Sequence, residues 1–208
     1  MDIITILITF FLHIDAYLAS LVQQYGIWTY VILFIVIFLE TGLVITPFLP
    51  GDSLLFVAGA LAAAGMLDLA ALLAVIAVAA ILGDTVNYWI GYKLETGFLE
   101  RRKLIKKEYI EKTHKFYDKY GAETIILARF IPIVRTFAPF VAGVGKMRYR
   151  KFLSYNIIGG VVWSAGFVLA GFYLGNVPIV KENLSIVLLG IIVVTLAAAV
   201  VEFVRHRR

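Results

Sequence analysis

The stretch ETGLVITPFLPGDSLLFVAGA, Glu40–Ala60, decides how the whole chain is read. It lies inside an apolar run from Ile27 to Leu67, yet it carries two carboxylates, Glu40 and Asp52, and the breakers Pro47, Pro50 and Gly51. Each proline removes a backbone donor and clashes with the preceding turn, so no helix is expected to pass through this cluster intact. In lipid such broken backbone survives only where protein or a water-filled cavity satisfies it. The chain repeats the pattern at LARFIPIVRTFAPFVAGVG, Leu127–Gly145, with Arg129 and Arg135 as the charges and Pro132 and Pro139 as the breakers. One broken apolar segment is acidic and the other is basic.

The 208 residues are 62% hydrophobic and 16% charged, with a mean hydropathy of +0.92. Ordinary globular domains are about 45–50% apolar. The class this composition defines is an all-α polytopic membrane protein. No cysteine is present, which excludes disulfides, thiolate chemistry and Cys-based metal sites. The net charge of +5 is unevenly placed and reads as a topology signal rather than as nucleic-acid affinity. No Lys or Arg precedes the first apolar run and no small-residue cleavage motif follows it, so a removable signal peptide is not expected.

Taken in order, residues 1–26 form an N-terminal helix, interrupted by His13 and Asp15, that either crosses the membrane or lies on it. Residues 27–67 have length for two passes, and the central Pro-Phe-Leu-Pro-Gly-Asp predicts a re-entrant hairpin. Residues 69–92 predict a full crossing, with Asp84 and Asn87 on one helical face and Trp89 and Tyr92 fitting an interfacial aromatic belt. Residues 93–119 hold nine Lys or Arg and five acids among scattered apolar residues, as in an amphipathic cytoplasmic segment on the membrane surface. A second basic cluster follows at Lys146, Arg148, Arg150 and Lys151. With both clusters cytoplasmic, residues 120–145 must enter and leave on one side, a second re-entrant hairpin whose two prolines supply the bend. Crossings are expected at 152–177, with Gly171 and Gly175 suited to close helix packing, and at 184–204, followed by a cytoplasmic RHRR terminus.

Counted back, the two hairpins enter from opposite faces, which predicts an inverted repeat with about four transmembrane helices. Short echoes support it: Val57-Ala58-Gly59 beside Val141-Ala142-Gly143, and Trp89–Leu94 beside Leu169–Leu174. Discontinuous segments that meet near the midplane are a recurrent transporter design.

Each charge near the bilayer centre costs about 2.5–3.5 kcal/mol on insertion scales. Glu40, Asp52, Asp84, Arg129 and Arg135 are therefore paired inside the protein or line water. A purely structural network would satisfy them, but buried ion pairs are often no better than apolar packing. Arg129 and Arg135 stay charged and can grip a phosphate bidentately, beside the backbone break at Pro132. Glu40 and Asp52 can change protonation, since low dielectric disfavours a carboxylate and a nearby arginine favours it. The scheme this suggests is competition: ionised acids hold the arginines, and protonation frees them for the substrate.

At these residues the chain resembles the DedA family of membrane proteins, also described as the SNARE-associated or VTT-domain family, from about residue 27 to 175. The carriers are Glu40, Pro47, Pro50, Gly51, Asp52, Ala58 and Gly59; then Gly83, Asp84, Tyr88 and Gly91; then Arg129, Phe130, Pro132, Arg135, Pro139, Ala142 and Gly143. The resemblance implies two re-entrant hairpins in an inverted arrangement in the cytoplasmic (inner) membrane. It also implies flipping or scrambling of a polar lipid, such as a polyprenyl phosphate (undecaprenyl phosphate) or phosphatidylethanolamine, coupled to a proton or sodium gradient. The family's essential acids and arginines fall on Glu40, Asp52, Arg129 and Arg135. Asp84, Asn87, Pro47, Pro50, Gly51, Pro132 and Pro139 are expected to support them.

The partners implied are phosphate-bearing membrane lipids and protons or sodium ions, with no nucleic acid; self-association into a homo-oligomer is left open. No cofactor, metal or enzymatic activity is expected, because His13, His114 and His206 lack metal-ligand spacing and a serine partner. An ion channel, selecting cations through acidic groups, and a non-transporting membrane-assembly scaffold are the rival readings.

Overall fold

The computed structural model describes residues 14–43, 51–93 and 123–175, with isolated positions at 177, 178, 180 and 190. Every element among them is a helix: α1 Ile14–Tyr25, α2 Trp28–Gly42, α3 Gly51–Ala63, α4 Leu69–Lys93, α5 Thr124–Ala128, α6 Pro132–Val144 and α7 Tyr149–Leu174. At 1.5 Å per residue, α4 and α7 are each about 37–39 Å long, more than the ~30 Å hydrocarbon core of a bilayer. Both are long and apolar enough to cross a membrane.

The burial pattern is that of a protein solvated by lipid. Along α4 the exposed large apolar side chains are Val78, Leu82, Val86, Trp89 and Tyr92, while Asp84 and Asn87 are buried. On α2 the exposed stripe is Trp28, Val31, Ile35 and Leu39, and buried Glu40 follows it. Spacings of three and four put each stripe on one helical face. Large apolar side chains are exposed on one face of each helix, while these polar ones are buried.

The helix boundaries follow local chemistry. α1 ends at a turn in which Gly26 adopts φ +52°, a left-handed conformation that glycine takes without a Cβ penalty. α2 stops at Gly42, ahead of residues 44–50; Pro47 and Pro50 lie outside the described residues. α3 opens at Gly51 with Asp52 in its first turn, where a carboxylate complements the helix dipole. Asp68 caps α4, its Oδ1 accepting from the Ala71 N–H at 2.7 Å.

The chain divides into two compact units. The first comprises residues up to Val36, Phe48–Ile76 and Ser164 onward; the second comprises Ile37–Pro47 and Ala77–Trp163. In the first, α1 packs on α3, and the Asp68 N–H donates to the Tyr30 hydroxyl at 2.7 Å. In the second, Tyr88, Ile125, Ala142 and Phe152 form an apolar core. Tyr88 stacks on Phe152 with ring centroids 4.5 Å apart and donates its hydroxyl to the Met147 carbonyl at 2.5 Å.

Each unit contains the same glycine-mediated helix crossing. In the first, a Cβ on Gly171 would overlap the Phe56 carbonyl, and one on Gly59 would overlap the Val168 carbonyl and crowd the Phe172 amide. In the second, Gly91 stands against the Phe140 carbonyl, and Gly143 against the Tyr88 carbonyl and the Tyr92 amide. Both crossings use a Phe-Val-Ala-Gly run, and in both the carbonyl three residues before each glycine faces the other glycine of the pair. The echoes at Val57-Ala58-Gly59 and Val141-Ala142-Gly143 therefore mark a repeated packing unit, held together by backbones in close contact.

The second broken segment departs from expectation in one respect. The break falls at 129–131, where the N–H groups of Arg129, Phe130 and Ile131 donate over three-residue spans to the carbonyls of Ile126, Leu127 and Ala128. Ile131 is extended (φ −120°, ψ 105°), as a residue before proline tends to be, and Pro132 starts α6. Pro139, expected to contribute a bend, instead sits inside a continuous helix. The expected segments 93–119 and 184–204 fall outside the described residues apart from Lys93 and Gly190.

Candidate anion site in a buried ion-pair cluster

Four charged side chains are buried among the described residues, Glu40, Asp84, Arg129 and Arg135, and all belong to the second unit. Their positions follow from the breaks. Glu40 lies in the last turn of α2, Arg129 opens the 129–131 break and Arg135 lies beyond it in the first turn of α6. Asp84 comes from α4 at a close crossing with α2, where Gly42 meets Gly83 backbone and a Cβ on Gly83 would overlap Thr41 Oγ1.

The charges are joined as two ion pairs. Arg135 Nη2 donates to Glu40 Oε1, and its guanidinium lies 5.1 Å from the centroid of the Trp163 ring, within cation–π range. Arg129 Nη2 donates to Asp84 Oδ2 at 2.5 Å and to Asn156 Oδ1 at 2.5 Å. When all four groups are ionised the cluster is neutral.

Arg129 has more donors than partners. A guanidinium offers five N–H groups. The Nε and Nη1 atoms are buried and have no hydrogen-bond partner among the described residues. Leaving buried donors unsatisfied costs about 1–3 kcal/mol each, more on a charged group. Such a group calls for a ligand oxygen or ordered water. Asp84 Oδ1 and Asn87 Oδ1 are buried acceptors in the same condition.

Asn87 stitches the two breaks together. Its Nδ2 donates to the Thr41 carbonyl at 3.2 Å and to the Thr136 carbonyl at 2.9 Å. Thr41 is in the last turn of α2, where carbonyls lack intrahelical partners. Thr136 sits one residue beyond the carbonyl that Pro139 leaves without its helical donor. A single amide on α4 thus bonds the last turn of α2 and the turn of α6 that precedes Pro139.

Of the residues singled out in the sequence, Glu40, Asp84, Asn87, Arg129 and Arg135 come together in this unit. Asp52 belongs to the first unit, at the start of α3, half-buried, and Gly51 beside it is buried. The carboxylate paired with Arg129 is Asp84, which the sequence suggested only as a supporting residue. Asn156, Gly159, Gly160 and the Trp163 ring were not singled out for the site. A polar residue followed by two glycines within an apolar helix was the available signal.

Long lipid-exposed helices around a buried charged cluster define an all-α membrane protein. The VTT domain family matches residues 49–173. Protein DedA of Escherichia coli (strain K12) is 53% identical over 212 aligned residues, covering 100% of this chain and 97% of that protein. An uncharacterized membrane protein of Mycobacterium tuberculosis (strain ATCC 25618 / H37Rv) is 45% identical over 84% of this chain and 78% of its own length. Inner membrane protein YghB of E. coli K12 is 34% identical over 74% of this chain and 71% of its own. The chain belongs to the DedA family of VTT-domain membrane proteins. No solved structure matches it.

Proposed function

We propose that this chain is a transporter that moves a phosphate-bearing polar lipid, a phospholipid or a polyprenyl phosphate, across the cytoplasmic membrane. The observation that carries this is Arg129: buried, held on one nitrogen, and left with its Nε and Nη1 donors unsatisfied among the described residues. Phosphate oxygens are strong acceptors that suit a planar guanidinium. Arg135, on the far side of the same break, is the second cation. Glu40 can release Arg135 on protonation, and Asp52 is the second carboxylate through which a proton or sodium gradient drives the cycle. The broken segments act as re-entrant hairpins, with the C-terminus cytoplasmic, and no bond in the lipid is made or broken.

The test is translocation in proteoliposomes, following labelled lipid phosphates with and without a pH gradient. Wild type moves the lipid; Arg129→Ala and Arg135→Ala, still inserted, do not. Ion current without lipid movement would favour a channel. Full activity in both variants would refute the reading and leave a scaffold.

A further inference from the structure

Arg129 is held by two neighbours of different chemistry. Its Nη2 donates to Asp84, a titratable acid on α4, and to Asn156, a permanently neutral amide on α7. Asn156 is fixed in turn, because its Nδ2 donates to the Ile81 carbonyl at 3.0 Å and so aims its oxygen at the guanidinium. Gly159 and Gly160 leave the room that the arginine occupies: a Cβ on Gly159 would lie 3.1 Å from Arg129 Cδ, and one on Gly160 3.4 Å from Nη2. Removing the charge on Asp84 therefore alters the charge beside Arg129 without releasing its guanidinium.

The geometry also offers a place for a proton. Asp84 Oδ2 accepts from Arg129, while Oδ1 is buried with no hydrogen-bond partner among the described residues. Asn87, three residues on, shares that helical face. Its amide cannot flip, since its oxygen would then meet the Thr41 and Thr136 carbonyl oxygens. Two donor-less acceptors thus share one turn of α4, and a proton on Asp84 Oδ1 turns one of them into a donor.

The charged groups around Asp84 among the described residues are Arg129, at the end of α5, and Arg135, on α6, both of which act on it electrostatically. Glu40, on α2, is bound to Arg135, and α7 contributes the neutral Asn156. An anion that enters this balanced cluster leaves it net negative unless a proton enters too. Low dielectric makes that imbalance expensive.

Building on the proposed function, we infer that Asp84 takes up a proton on Oδ1 when a phosphate anion binds Arg129, with Asn156 holding the guanidinium in place in both states. The proton comes from water, and no covalent bond between heavy atoms changes. Asp84 is then a coupling residue in addition to Glu40 and Asp52, and Asn156 is a positioning residue.

The experiment is calorimetric titration of the purified full chain with a water-soluble short-chain prenyl monophosphate. Two buffers of different ionisation enthalpy report proton uptake. Wild type is expected to take up about one proton per anion, with affinity falling as pH rises. Asp84→Asn should bind with about one proton fewer taken up than wild type, leaving only the pH dependence of the probe's own phosphate, which titrates at about pH 6, and Asp84→Glu should restore the uptake with the profile displaced. Asn156→Leu should weaken binding at every pH while uptake persists. Unchanged uptake in Asp84→Asn overturns the inference and leaves the phosphate reading standing; a wild type that does not bind the probe overturns both. Should Asp84→Asn fail to fold, infrared difference spectra of carboxyl-labelled Asp52→Asn protein decide. A protonated-carboxyl band that follows the aspartate label there, and the glutamate label once Asp84→Glu is added, supports Asp84; a band that does not move with that exchange, or no band, overturns the inference.

Discussion

Arg135 and Glu40 are 95 residues apart in sequence and share one buried ion pair, Nη2 to Oε1. The pair joins the last turn of α2 to the first turns of α6, so the acidic broken segment and the basic one meet through it. Removing one member of a buried pair strands a charge and costs about 3–5 kcal/mol, whereas replacing both with apolar groups is often neutral. Glu40→Leu alone is therefore expected to lower thermal stability in detergent. The double variant Glu40→Leu with Arg135→Met should recover most of it without recovering translocation. A double variant that is stable and still transports would make this pair purely structural.

Asn87 is expected to be a stability residue as well as a neighbour of the site. Asn87→Leu leaves the Thr41 and Thr136 carbonyls without its donor. Interhelical hydrogen bonds in membranes contribute less than their number suggests, about 0.6 kcal/mol on average. A loss of about 1–3 kcal/mol, read as a lower midpoint in steric-trap or thermal unfolding, is the predicted result.

The repeated glycine crossing makes a paired prediction. Gly91→Ala and Gly171→Ala each drive a methyl into a backbone carbonyl, that of Phe140 and of Phe56 respectively. Backbone cannot yield as a flexible side chain can, so each should cost about 1–3 kcal/mol. Gly166→Ala, with nothing within 4 Å of its added Cβ, is the control and should leave the melting temperature unchanged or slightly raised.

The Tyr88 hydroxyl ties α4 to the turn after α6 through the Met147 carbonyl. Tyr88→Phe keeps the stack on Phe152 and removes that bond, for an expected loss of about 0.5–1.5 kcal/mol with translocation retained. Thermal unfolding beside a transport assay checks both halves of that statement.

The breaks were legible in the sequence because prolines and glycines act locally. The entry of α6 at Pro132 follows from φ restriction and a missing donor, and α2 ends at Gly42, ahead of the first pair of prolines in the sequence. Pro139 was less legible, because a proline within a membrane helix need not end it, and α6 runs on through Pro139 to Val144. The glycine echoes pointed to the repeated crossing because the contact needs the same small residue in the same register. Pairing was the illegible part. Nothing local distinguishes Asp84 from Asp52 as the acid for Arg129, since that choice is made by two helices crossing at Gly42 and Gly83. Asn156 went unnoticed because its role depends on Ile81 and Arg129, both far from it in sequence.

The central claim is that the unsatisfied nitrogens of Arg129 meet a lipid phosphate. Solid-state NMR that recouples lipid phosphorus to selectively labelled arginine nitrogen, on the reconstituted chain, measures that contact directly. The account predicts dephasing at Arg129 Nε and Nη1 by the lipid phosphate, lost on Arg129→Lys. Dephasing absent from Arg129, while surface arginines show it, would contradict the claim.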